Sequence, residues 1–305
     1  MRILLLGANG QLGHELLRAL APLGEVAAAT REGALADGGA CLAADLADPA
    51  SLAGALRDAR AELIVNAAAY TAVDRAESEP ELAGRINRQA VAEIGAFARA
   101  SGARVVHYST DYVFDGSATR PYREDDPTGP LGVYGRSKLG GEEALRESGV
   151  HHWIFRTAWV YAARGHNFLR TMLRLGAERE ELRVVADQVG APTAARWIAE
   201  ATATALDRGT DVGSGTWHCV AGGRCSWHEF AGAIMAGAVR RGLLARAPQV
   251  LPIASAEYPT PARRPAWSVL DASKLEAAFG IQSISWREGL DAVLDEIAGQ
   301  DPARS

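Results

Sequence analysis

The chain has 305 residues and a formal net charge of −5, long enough for a substantial core and too acidic, without a lysine-rich run or basic arm, for a nucleic-acid phosphate backbone to be the expected partner. Three cysteines, Cys41, Cys219 and Cys225, have neither metal-ligand spacing nor an even count, which fits reduced thiols acting as small buried fillers. The apolar run after Met1-Arg2 is too short for a signal peptide and no stretch is long enough to span a bilayer, so a cytoplasmic protein is expected.

Apolar runs alternate with segments of helical period through the first half, the pattern of a parallel sheet covered by helices on both faces. Residues 3–6 read as a first strand, and Leu12, Leu16, Leu17 and Leu20 fall at helical spacing in a helix ending near Pro22. A second strand is expected over 26–30. Asp48-Pro49 reads as an N-cap with proline at the first helical position, and further buried strands are expected over 63–67, 105–109 and 153–160. Beyond residue 165 the pattern is less regular: helices over 166–177, 193–207, 227–241 and 286–298, short strands over 183–186 and 216–220, and an irregular proline-rich connection from Pro248 to Pro265. The expected fold is α/β: a doubly wound parallel sheet over 1–162, to which the chain returns near 183–222, interleaved with a smaller α/β lobe over 163–305.

Gly7-Ala8-Asn9-Gly10-Gln11-Leu12-Gly13 falls between the first strand and the first helix. Glycines there allow a tight turn, close approach of backbone to a pyrophosphate and close helix-to-strand packing, while the helix N-terminus offers N–H groups and a favourable dipole. Dinucleotide binding is expected. At the end of the second strand stands Thr30-Arg31, a hydroxyl and a guanidinium suited to a 2′-phosphate, where an acidic residue would select a ribose hydroxyl. NADPH is therefore favoured, with NADH use left open; the bland reading is a solvated Arg31 beside Glu32. Asp45 and Leu46 follow a short third strand where an adenine would lie. Ala67, Ala68 and Ala69 end the fourth strand with small residues, suited equally to cofactor approach or to core packing.

Tyr134 and Lys138 stand four apart on one expected helix, downstream of Thr110 at the end of the run Val105-Val106-His107-Tyr108-Ser109-Thr110-Asp111. An ammonium at that spacing would favour the phenolate and bring a phenol toward the range of a general acid, with the threonine hydroxyl sharing the substrate oxygen. His151-His152 begins a strand, where adjacent side chains point to opposite faces, so the pair is read as surface or edge residues and no metal site is expected.

With the glycine turn, Asn66-Ala67-Ala68-Ala69-Tyr70-Thr71-Ala72-Val73-Asp74, Ser109-Thr110-Asp111-Tyr112-Val113-Phe114-Asp115-Gly116 and Tyr134-Gly135-Arg136-Ser137-Lys138 in order, the chain resembles the extended short-chain dehydrogenases. Within them it is similar to the dTDP-4-dehydrorhamnose reductase family, through Arg156-Thr157-Ala158-Trp159-Val160-Tyr161, Asp187-Gln188-Val189-Gly190-Ala191-Pro192-Thr193 and Arg263-Arg264-Pro265. The resemblance implies a Rossmann domain with a sugar-nucleotide lobe, and hydride delivery from NAD(P)H to C4 of a dTDP-linked keto sugar, the last step of dTDP-L-rhamnose synthesis for surface polysaccharide. It implies that Thr110, Tyr134 and Lys138 are catalytic, Tyr134 protonating the C4 oxygen, Lys138 holding the nicotinamide ribose and tuning Tyr134, and Thr110 bonding the same oxygen. Asp111, Tyr112 and Trp159 would meet the sugar nucleotide, Trp159 having a buried-anchor reading beside it, and Arg264 would meet the diphosphate.

Dehydratases of the same superfamily follow the hydroxyl residue with an Asp-Glu pair, whereas Asp111-Tyr112 keeps one carboxylate, which favours carbonyl reduction over elimination. Some reductases dimerise around a metal held by glutamates, one on the helix where this chain has Ala194-Ala195-Arg196; an arginine cannot ligate a cation, so monomer and homodimer both stay open. A sugar-nucleotide epimerase and a non-catalytic NADP-binding subunit remain as rival readings.

Overall fold

The computed structural model describes residues 1–299 of the chain. Strands β1 (Arg2–Leu6), β2 (Glu25–Thr30), β3 (Leu42–Ala43), β4 (Leu63–Asn66), β5 (Arg104–Thr110), β6 (His152–Thr157) and β7 (Gly215–His218) form one seven-stranded sheet in the order β7-β6-β5-β4-β1-β2-β3. Every neighbouring pair is parallel. This is a Rossmann-type, doubly wound sheet whose order reverses at β1.

The period of two along each strand decides which helix it meets. In β1, Ile3 and Leu5 enter one core with Leu16 and Leu20 of α1 (Gln11–Leu20), while Leu4 and Leu6 enter the other with Leu52 and Leu56 of α2 (Pro49–Ala59) and Ile94 of α3 (Ala90–Ser101). Both faces are thereby covered, each fully buried leucine contributing about 1.5–3 kcal/mol. Asp48 caps α2, its side chain accepting from the Ala50 N–H at 2.9 Å, with Pro49 following as expected. Helix α4 (Val133–Glu147) lies on the same side as α3, contributing Leu145 to that core.

The second lobe packs α5 (Phe168–Glu178), α7 (Trp227–Arg240) and α8 (Trp286–Gly299) around Tyr161, Leu169, Phe230, Ile234, Leu290 and Leu294. Chain from the 183–222 stretch serves both lobes: β7 joins the large sheet beside β6 and α6 (Ala195–Arg208) packs in the core with α1, whereas Glu181–Val185 pairs with Gln249–Ile253. No described helix is long and apolar enough to cross a membrane.

Three local expectations are corrected. The connection from Pro248 to Pro265 is not wholly irregular, since Gln249–Ile253 forms a parallel strand with Pro252 inside it; in a two-stranded sheet every strand is an edge, where a missing N–H is tolerated. The strand expected over 153–160 stops at Thr157 because Trp159 takes a left-handed φ of 48°, after which Val160–Tyr161 pairs separately with Thr193–Ala194. His152 is buried rather than at the surface, its Nδ1 2.8 Å from the Val150 carbonyl.

Gly13 sits inside α1, where a Cβ would stand 2.0 Å from the Gly7 carbonyl oxygen and 2.9 Å from Ala8 Cα. Alanine is the better helix former. Gly13→Ala should nonetheless lower stability by about 1–3 kcal/mol, because backbone must move to admit the methyl. A urea midpoint equal to that of the parent would contradict the packing account.

Candidate active site

A cleft of about 720 Å³ opens at the C-terminal ends of β1, β4 and β5, at the point where the sheet order reverses. Its wall brings together Gly7, Asn9, Gly10, Gln11, Leu12, Arg31, Asp45, Leu46, Ala67, Ala68, Ala69, Thr110, Asp111, Tyr112, Tyr134, Lys138 and Trp159. Of the residues singled out from the sequence, Gly13 and Arg264 are off the wall, Gly13 serving the packing behind it and Arg264 bonded to Asp74.

At one end, Gly7 turns the chain with φ 83°, and a Cβ on it would stand 2.8 Å from the Ala68 backbone nitrogen. The turn after β1 and the turn after β4 therefore touch backbone to backbone. Helix α1 starts at Gln11 with Gly10 as N-cap and no side-chain cap, so its positive end faces the cleft without a competing side chain.

The loop after β2 is tied to the glycine turn. Asn9 donates from Nδ2 to the Ala34 carbonyl at 2.9 Å and accepts from the Ala36 N–H at 2.9 Å. Thr30, expected to offer its hydroxyl to a ligand, is instead 4 % exposed and committed to this turn, donating to the Ala34 carbonyl at 3.0 Å and accepting from its N–H at 3.2 Å. Arg31 is the cation left at this rim. Its side chain is 74 % exposed and meets Glu32 only at 3.5 Å, a contact of little strength in water.

At the other end, β5 delivers Thr110 and Asp111 into the cleft. Thr110 donates to Asp111 Oδ1 at 2.9 Å and accepts from the Tyr112 N–H at 3.2 Å. Burial raises the Asp111 carboxyl to about 6, against the stabilising hydrogen bonds it receives. Tyr134 and Lys138 rise from one face of α4, with the Tyr112 ring edge-on to Tyr134 at 5.6 Å. The expectation that Lys138 lowers the Tyr134 phenol is not met. Burial pushes Tyr134 up to about 12, the neighbouring Thr110 hydroxyl opposing and Asp111 adding to the rise. Lys138, 2 % exposed, turns its ammonium to the Tyr108 carbonyl at 2.6 Å, and burial brings the amine down to about 8 against the pull of Glu142.

Several wall residues escaped the sequence reading. Thr157 ends β6 with a buried hydroxyl that has no partner among the described residues, and Asn167 and Trp227 arrive from the second lobe. Trp227 stacks on Trp159 with centroids 3.4 Å apart and planes 4° off parallel, so Trp159 is both anchor and wall. No spacing rule joins positions so far apart in the chain. Burial favours the neutral form of Asp74, but the bond it accepts from Arg264 at 2.7 Å, the Ala262 N–H and the arginine's charge together outweigh burial and hold the carboxyl below its usual range.

The RmlD substrate binding domain model matches residues 1–298 of this chain. A dTDP-4-dehydrorhamnose reductase of Burkholderia thailandensis is 48 % identical over 98 % of this chain and 100 % of its own length, and one of Escherichia coli K12 is 45 % identical over 97 % and 98 %. Among solved structures, dTDP-4-dehydrorhamnose reductase from Bacillus anthracis in complex with NADP superposes with a TM-score of 0.87 at 34 % identity, covering 97 % of this chain and 99 % of that one. A Thermus thermophilus UDP-glucose 4-epimerase in complex with NAD, at 22 % identity and a TM-score of 0.81, shares the fold. With its model matched from the first strand into the last helix, the chain belongs to the RmlD substrate binding domain family.

Proposed function

We propose that this protein reduces the C4 keto group of dTDP-4-dehydro-L-rhamnose with NADPH to give dTDP-L-rhamnose, the last step in making that sugar nucleotide. The observation that carries the reading is the meeting of Thr110, Tyr134 and Lys138 with an uncapped, glycine-turned helix N-terminus in one cleft. The reductase names of relatives nearly half identical over the full chain support it. The corresponding division of labour gives residues 1–162 and β7 mainly to the cofactor and the remainder mainly to the sugar nucleotide, in a protein working in the cytoplasm as monomer or homodimer.

The residues present fit a dinucleotide. Side-chain-free backbone at Gly7 and the open N-terminus of α1 suit a pyrophosphate, Asp45 and Leu46 suit an adenosine, and Ala67, Ala68 and Ala69 leave room along the middle. When bound, NADPH supplies the hydride that reduces C4. Tyr134 keeps its proton across the neutral range, as a phenol raised by burial must, and gives it to the oxygen at C4. Thr110 gives its one hydroxyl proton to Asp111 in the free protein and, turned to the substrate, would donate it to that oxygen instead. Lys138 holds the cofactor ribose and contributes positive charge beside the developing oxyanion. Tyr112 and the Trp159–Trp227 pair wall the sugar side.

Oxidation of NADPH by the purified protein with dTDP-4-dehydro-L-rhamnose, with NMR identification of the product, tests the reading; no oxidation with this sugar would overturn it. Tyr134→Phe should keep fold and cofactor affinity while turnover falls about 10²–10⁴-fold, and Thr110→Val should cost less because the proton source stays. Near-parental turnover by Tyr134→Phe with chemistry rate-limiting would remove the assigned proton donor.

Arg31→Ala should weaken NADPH binding by about 1.5–3 kcal/mol and leave NADH little changed, as expected for loss of one charge-assisted contact to a 2′-phosphate. Titration of both cofactors decides this, and equal weakening would reassign Arg31 to solvent.

Lys138 is charged below about 8, so kcat/KM for NADPH should decline as pH rises through about 8. A profile flat to pH 10 would show that its charge is not needed.

A further inference from the structure

His107 lies on β5, 1 % exposed, wedged between Asn66 of β4 and Lys138 of α4. Its Nδ1 stands 3.1 Å from Asn66 Nδ2, and its Nε2 stands 3.4 Å from Lys138 Nζ. The Asn66 amide cannot turn freely. Its Oδ1 accepts the Ala68 N–H at 3.2 Å, and only an oxygen can do so; the amide nitrogen, a donor without a lone pair to offer, therefore faces the ring.

One tautomer follows. Nδ1 must accept from Asn66, so the proton of the neutral ring is on Nε2, and burial together with the nearby ammonium keeps the ring neutral. An Nε2–H aimed at Nζ finds a lone pair only when the amine is neutral, whereas an ammonium there sets donor against donor. The Tyr108 carbonyl accepts from either form.

We propose that His107 is a positioning residue that favours the neutral form of Lys138 by donating from Nε2 to Nζ, and thereby sets the pH at which the lysine exchanges its proton. The proposal rests on the assignment of Lys138 to the reductase site for its consequence in catalysis, but not for its chemistry. The other titratable groups around the amine are Tyr134 one turn back on α4 and Glu142 one turn on, the latter held by Arg156 of β6, with Asp111 beyond Thr110 and His152 acting on the ring from β6. Glu142 pulls the amine toward charge, so the histidine opposes the nearest carboxylate. The backbone amide that fixes this relay belongs to the turn lining the proposed cofactor cleft, which links the cleft wall to the lysine through two side chains.

The sequence makes the test direct, because Lys138 and Lys274 are its only lysines. In Lys274→Arg protein the remaining ε-methylene NMR signal reports Lys138 alone. His107→Gln offers a side-chain oxygen that accepts from the ammonium, and the Lys138 midpoint should rise by about one pH unit or more, with the basic limb of kcat/KM moving with it. An unmoved midpoint in folded His107→Gln overturns the proposal. Ring-nitrogen NMR of the unsubstituted His107 decides it without any variant: a protonated Nε2 supports it, and a protonated Nδ1 overturns it. If the midpoint moves while no keto-sugar reduction is seen, the relay stands and the reductase reading fails.

Discussion

Helix α4 carries both Tyr134 and Lys138, and the closeness with which its backbone is seated on its neighbours is the constraint on which the site depends. A Cβ at Gly135 would fall 2.2 Å from the Tyr112 carbonyl oxygen, and one at Gly141 would fall 2.1 Å from that of Asn87. Three polar ties then lock the helix, two of them to the sheet and one to the helical segment before α3. Lys138 bonds the Tyr108 carbonyl of β5, Asn87 donates to Ser137 at 3.0 Å, and Glu142, with no exposed surface, accepts from Arg156 of β6 at 2.9 and 2.7 Å. Losing one partner of such a buried ion pair costs about 3–5 kcal/mol, far more than a surface pair contributes. The register of α4 is thus set from both ends, and Tyr134 is held beside Thr110 partly by groups off the cleft wall, Asn87, Ser137, Glu142 and Arg156.

Most of this fold was legible because it obeys short periods. Ile3, Leu4, Leu5 and Leu6 announce a strand buried on both faces, and the glycine turn, Asp48-Pro49 and the Tyr134–Lys138 spacing each act within a few residues of sequence. What was hidden is non-local. Trp227 enters the cleft from another lobe, and the strand Gln249–Ile253 exists because Glu181–Val185 lies alongside, which its proline content gave no reason to expect. Trp159 ended a strand early through a left-handed backbone that an aromatic residue does not advertise.

The direction of a side chain is hidden in the same way. Spacing of four puts Tyr134 and Lys138 on one face, but it does not say where a flexible four-carbon stem will aim its charge. Here the sheet decides: the Tyr108 carbonyl lies closer to hand, and the ammonium goes there. Deep burial then governs both groups, raising the phenol and lowering the amine. The two shifts have a common consequence. Each favours the uncharged form, so the phenol keeps its proton across the neutral range and the amine gives up its own near pH 8.

The rim after β2 shows the opposite balance, a side chain kept free because its neighbours are spent. Thr30 and Asn9 turn inward to bond the loop over Ala34 and Ala36, fixing its backbone against the glycine turn. With those polar groups used internally, Arg31 is left projecting with only a distant glutamate beside it. A guanidinium that is positioned by a rigid loop yet not neutralised by a close carboxylate loses little on meeting a phosphate, since it has no strong partner to abandon. On the proposal that Arg31 meets a 2′-phosphate, the Asn9 and Thr30 bonds matter as much as the arginine: they hold the loop, and the loop holds the charge.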